Sequence, residues 1–101
     1  MPRGERQDDF ESVTALAGLL SSISDQKEME AFLQVLLTPA ELHEVPQRLR
    51  IMRRLLEKVP QRAIAREIQG SLCKVTRGSK MLKGHPEISE RLRDFFEGHS
   101  F

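Results

Sequence analysis

The chain reads as an all-α protein of about six helices with a helix-turn-helix, and three features predict this. Apolar residues recur three and four apart over most of the sequence, which is the spacing of one helical face. Cap and breaker signals, among them Thr38-Pro39 and Gly84-His85-Pro86, cut that pattern into helix-length pieces. Residues 61–83 then combine a short helix, a Gly-containing turn and a basic helix, the layout of a helix-turn-helix. No strand pattern, repeat or low-complexity tract competes with this reading.

Taken in order, residues 1–7 are polar, contain Pro2 and Gly4, and are expected to form a flexible arm. An amphipathic helix follows from Asp8 or Asp9 to about Ser24, with Phe10, Val13, Leu16, Leu20 and Ile23 on one side. Its early acids Asp8, Asp9 and Glu11 complement the positive end of the helix dipole. A second helix from about Lys27 to Leu37 places Met29, Phe32, Leu33 and Leu36 on one face. So much apolar patterning in a chain of 101 residues implies burial against a second subunit, because a small domain has a limited core.

Thr38 as N-cap, Pro39 in the first turn and Glu41 as the far end of a capping box start the third helix. It carries Leu42, Val45, Leu49, Met52, Leu55 and Leu56, and Pro46 interrupts it. An interior proline costs about 3 kcal/mol and a hydrogen bond, so a kink or restart is expected near Val45-Pro46. Beyond it Arg48, Arg50, Arg53 and Arg54 form a basic face. In the fourth helix Ile64 and Ile68 share a face, and Gly70 is expected to take positive φ and end it. Ser71 caps the fifth helix, in which Val75 and Leu82 point inward and Lys74, Arg77, Lys80 and Lys83 outward. Pro86-Glu87 opens a last helix with Ile88, Leu92, Phe95 and Phe96, closed by Gly98.

Charge supports a polyanionic partner. Residues 1–45 hold three Lys/Arg against nine Asp/Glu, a net −6, whereas residues 46–101 hold thirteen against six, a net +7. A nearly neutral total therefore hides a basic working half. His43, His85, His99 and the single Cys73 show no metal-site or catalytic spacing. No nucleophile elbow or phosphate loop is present, so neither an enzyme nor a bound cofactor is expected. One cysteine suits a reducing compartment. No apolar run is long enough to span a membrane and no signal segment opens the chain, so a cytoplasmic protein is expected.

The segments Leu37-Thr38-Pro39-x-Glu41, Arg48-x-Arg50-Ile51, Leu55-Leu56 and Gln61-Arg62 precede Val75-Thr76-Arg77-Gly78-Ser79-x-x-Leu82-Lys83. Together they resemble the bacterial trp repressor family over roughly residues 33–84. The resemblance implies a single domain over 1–101 in an intertwined homodimer, with L-tryptophan as small-molecule effector and double-stranded operator DNA as partner. It implies an indole between Arg48 of one subunit and Arg77 of the other. Thr38 and Arg77 would hold the carboxylate, and the carbonyls of Val35 and Leu37 would receive the ammonium. Met81 would complete the effector set. The DNA-facing set would be Gln61, Arg62, Leu72, Cys73, Lys74, Thr76, Gly78, Lys80 and Lys83.

The departures sharpen these expectations. Met81 stands where the family has an ammonium-binding serine, Lys74 replaces a threonine and Ala65 a lysine. A thioether is at best a weak acceptor, so Met81 predicts weak tryptophan binding with poor discrimination against indole-3-propionate. The main expectation is a tryptophan-activated transcriptional repressor of tryptophan biosynthesis or transport operons. The alternatives are a ligand-independent DNA-binding protein of the same superfamily fold, like the DNA-binding domain of the replication initiator, and a helical interaction protein that never meets DNA.

Overall fold

The computed structural model describes residues 2–99, with side chains from Ser12 onward. Among them run six helices and no strand: α1 (Pro2–Ser22), α2 (Gln26–Leu36), α3 (Pro39–Leu56), α4 (Gln61–Ile68), α5 (Leu72–Gly84) and α6 (Pro86–Glu97). The chain divides into two compact units, Met1–Pro39 and Ala40–Phe101.

In the first unit α1 begins at Pro2, so helical backbone runs through the stretch expected to be a flexible arm. Proline suits a helix start, where its missing N–H has no partner to lose. The helix stops at Ser22, two residues before the expected Ser24, and the Ser22 hydroxyl donates to the Leu19 carbonyl at 2.6 Å. Asp25 then caps α2 by accepting the Glu28 N–H at 2.9 Å, which sets the start of α2 at Gln26. Leu20, Ile23, Met29, Phe32 and Leu33 are half-buried, while Val13, Leu16 and Leu19 are exposed. Phe10, expected on the same apolar face, lies outside the described side chains.

The second unit holds the core, in which Ile51 of α3, Ile64 of α4 and Val75 of α5 are almost fully buried. Leu55, Val59, Ala65 and Ile68 pack around them. α3 continues through Pro46 as one helix, so of the expected kink or restart, the restart does not occur. A proline inside a helix removes its own hydrogen bond and crowds the carbonyl four residues earlier, yet the helix extends for ten residues on the far side of it.

α3 and α4 end alike. Lys58 (φ 68°) and Gln69 (φ 52°) each take the left-handed conformation. After α3, the Lys58 N–H bonds to the Leu55 carbonyl and the Val59 N–H to that of Arg54, at 3.0 and 3.1 Å. After α4, the Gln69 N–H bonds to the Arg66 carbonyl and the Gly70 N–H to that of Ala65, both at 3.1 Å. These are Schellman closures. Arg54 reinforces the α3–α4 corner, donating from Nε and Nη2 to the two Glu67 carboxylate oxygens at 2.9 and 2.7 Å. Its Nη1 donates to Glu57 at 2.6 Å, so this arginine of the expected basic face is neutralised. At the α5–α6 junction the buried Ser89 hydroxyl lies 2.7 Å from the Leu82 carbonyl and 3.1 Å from that of His85.

Candidate nucleic-acid interface and effector cleft

α4 and α5 form the helix-turn-helix with the bounds that the sequence implies. The turn is made differently. Gln69, not Gly70, adopts positive φ, and no glycine does among the described residues. A Cβ at Gly70 would stand 3.0 Å from Ile68 Cδ1, the movable end of a side chain, so a larger residue there would push Ile68 slightly. Ser71 caps α5 as expected, accepting the Lys74 N–H at 3.3 Å.

With Val75 buried inward, α5 turns Leu72, Cys73, Lys74, Thr76, Lys80 and Lys83 to the exterior. Arg62 of α4 is exposed beside them, and half-buried Gln61 accepts the Thr76 hydroxyl at 3.0 Å on Oε1. That bond joins the first turn of α4 to α5 and leaves the Gln61 amide nitrogen free to donate. Gly78 is not on this surface. It is buried, and a Cβ on it would lie 3.2 Å from Ile51 Cγ2 and 3.3 Å from Leu55 Cδ1, so it lets α5 approach α3 closely.

Between α3 and α5 lies a cleft of about 100 Å³ around which Glu44, Arg48, Lys74 and Arg77 meet, with Ile51 and Gly78 also lining it. Arg48 and Arg77 of one chain thus reach a common cleft, whereas the resemblance takes one from each subunit. Neither guanidinium is held by a hydrogen bond or ion pair among the described residues. Lys74, expected to be free for DNA, donates from Nζ to Glu44 Oε1 at 2.9 Å. The Lys74 ammonium holds the Glu44 carboxyl below its ordinary value. Glu67 is lowered likewise by Arg54, whose own pKa is raised.

The remaining effector-set residues are distributed as follows. Val35 on α2 is exposed, Leu37 is the C-cap of α2, with its N–H bonded to the Leu33 carbonyl at 2.9 Å, and Thr38 immediately precedes α3. All three belong to the first unit. Met81 is on α5 but does not line the α3–α5 cleft; its carbonyl lies 2.9 Å from His85 Nδ1. Sequence reasoning missed Glu44. Its position four residues before Arg48 puts the two on one helical face, and that spacing was the available signal. No group of His, Cys, Asp and Glu among the described residues is arranged to hold a metal ion. No helix among them is long and apolar enough to cross a membrane.

The fold and the paired helices at 61–84 define an all-α helix-turn-helix protein. More particularly, the chain belongs to the Trp repressor protein family, whose model matches residues 11–95, a family of transcriptional regulators. It is 45% identical over 71 residues to a Trp operon repressor homolog of Actinobacillus succinogenes, covering 69% of each chain. Against that of Pasteurella multocida the identity is 38% over 79 residues, covering 77% of this chain and 78% of the relative. For Haemophilus influenzae it is 34% over 76 residues, covering 74% and 75%. No solved structure matches significantly.

Proposed function

We propose that this member of the family is a homodimeric, sequence-specific repressor that binds double-stranded operator DNA when L-tryptophan occupies its effector site. The observation that carries the reading is α5: capped by Ser71, anchored by Val75 and Gly78, and displaying Lys74, Thr76, Lys80 and Lys83. In helix-turn-helix proteins, the Trp repressor among them, the second helix enters the major groove. Lys80, Lys83 and Arg62 would contact phosphates, Leu72, Cys73 and Thr76, near the start of the helix, would face base edges, and Lys74 would reach base edges or the nearby phosphates.

The effector half rests on Arg48 and Arg77. A planar guanidinium stacks on an aromatic ring and also pairs with a carboxylate. At about 100 Å³ the cleft is well below the roughly 300 Å³ at which ordinary ligand pockets begin, so other groups must cover the ligand. Thr38 and the carbonyls of Val35 and Leu37 are the groups the family resemblance supplies. Dimerisation is supported by the exposed apolar side chains of α1 and α2, and the two units would then serve one repressor domain.

Selection of bound sequences from random duplexes, with and without L-tryptophan, tests the proposal. A consensus recovered only with tryptophan is expected. An equal consensus without it would indicate ligand-independent binding, and no enrichment together with a flat salt dependence would remove DNA from the function.

A further inference from the structure

The Glu44–Lys74 pair has no place in the interface just described, and it sits where effector and DNA requirements meet. Glu44 faces Lys74, and further along the same two helices Ile51 and Leu55 face Gly78. Arg48 and Arg77 fall between these contacts in sequence. The cleft therefore sets the Arg48 and Arg77 guanidinium groups beside one carboxylate, and that carboxylate is already hydrogen-bonded by a lysine of the DNA-facing helix. A guanidinium is a partner for a ligand's carboxylate, and a carboxylate is a partner for its ammonium group.

We propose that Glu44 is a shared receptor. Without effector it holds Lys74, and when an α-amino acid enters the cleft it takes the ligand's ammonium and releases Lys74 to a DNA phosphate. The inference rests on the tryptophan-repressor reading above and assigns that reading's ammonium partner. Lys74 is the direct hydrogen-bonded ion-pair partner of Glu44, with Arg48 and His43 adding weaker attraction to the same carboxylate. Both side chains are more than a third exposed, and an exposed ion pair is weak enough for a better-placed cation to displace. One carboxylate contested by two ammonium groups couples the sites reciprocally: the ligand weakens the hold on Lys74, and a phosphate that takes Lys74 favours the ligand. Glu44 also reverses the expectation drawn from Met81, because it supplies the ammonium contact that the thioether cannot.

Calorimetry of L-tryptophan and indole-3-propionate on the full-length protein and on Glu44→Gln tests the receptor. The unmodified chain should prefer tryptophan by about tenfold or more, the effect of one charge-assisted hydrogen bond. Glu44→Gln should lose that preference while binding indole-3-propionate as well or better, since the nearby negative charge is gone. Salt titration of binding to the selected duplex tests the release. Tryptophan should steepen the slope of log K against log salt by about one per subunit, about two for the dimer of unmodified protein, whereas Glu44→Gln should show the steeper slope without ligand. A tryptophan preference that survives in Glu44→Gln would overturn the proposal and leave the repressor reading standing. Failure of the unmodified chain to bind either ligand would overturn both. Glu44 is exposed enough for the variant to fold, and equal urea midpoints of the two proteins check this.

Discussion

The two units of this chain use their apolar residues in opposite ways. Ala40–Phe101 converges Ile51, Ile64 and Val75 from three helices onto one point, with Ile64 and Val75 at 0% exposure. Met1–Pro39 has a similar apolar content, yet none of its described side chains is fully buried, and Val35 is 86% exposed. Equal hydrophobicity therefore does not mean equal self-sufficiency. The second unit closes a core within itself, whereas two helices alone offer no third wall against which to bury a stripe. Exposed apolar side chains on both of its helices are what the proposed homodimer would cover.

The largest expected effect breaks this contrast at its weak side. Replacing Leu16 and Leu19 together with lysine should abolish the dimer, which in the unmodified protein should sediment at about twice the chain mass of 11.6 kDa. The unmodified dimer should also melt at temperatures that rise with protein concentration. A stable, folded monomer before substitution would mean that the first unit needs no partner. Next, Ile64→Ala should cost about 2–5 kcal/mol in urea unfolding, the range for a buried large-to-small change. A loss below about 1 kcal/mol would show that the three-residue core does not carry the second unit.

Much of this was legible from residue order. Ser71, Pro86 and the spacing of Ile64, Ile68 and Val75 placed α4 to α6 with little error, because caps and one-face periodicity are local properties. What escaped was decided by neighbours distant in sequence or by backbone closure. Gln69 takes the left-handed turn because the closing bonds to Ala65 and Arg66 fall there, while Ile68 covers the position of Gly70. Gly78 looked like part of the DNA surface until Ile51 and Leu55 were seen against it. Glu44 was one acid in an acidic half until α5 brought Lys74 to it.

A smaller effect follows from that turn. A residue other than glycine in the left-handed region is strained by roughly 1–2 kcal/mol, partly offset for glycine by its freer unfolded chain. Gln69→Gly should therefore stabilise the second unit by about 0.5–1 kcal/mol, read as a higher urea midpoint without change of slope. A loss of stability would show that the Gln69 side chain contributes contacts of its own.

The smallest effect is acid sensitivity. Glu67 has its pKa lowered in the fold by Arg54, so its stabilisation is complete above the ordinary value of 4.5 and fades as pH falls through the lowered one. Glu67→Gln should flatten that part of the stability profile and leave the buried Ile51–Ile64–Val75 cluster intact. An unchanged acid limb would mean that Arg54 gains nothing from the pair once water competes.

Arg54 has one more consequence. It grips Glu67, in the last turn of α4, with two parallel donors, a geometry that fixes orientation as well as distance. α5 meets α3 through close contact at Gly78, the exposed ammonium–carboxylate pair at Lys74, and the buried cluster that Val75 shares with Ile51. α4 is therefore tied to α3 by charge at its far end, whereas α5 is tied to it mainly by apolar packing. Added salt should accordingly weaken the Arg54 and Lys74 pairs and leave the Val75 contact of α5 untouched.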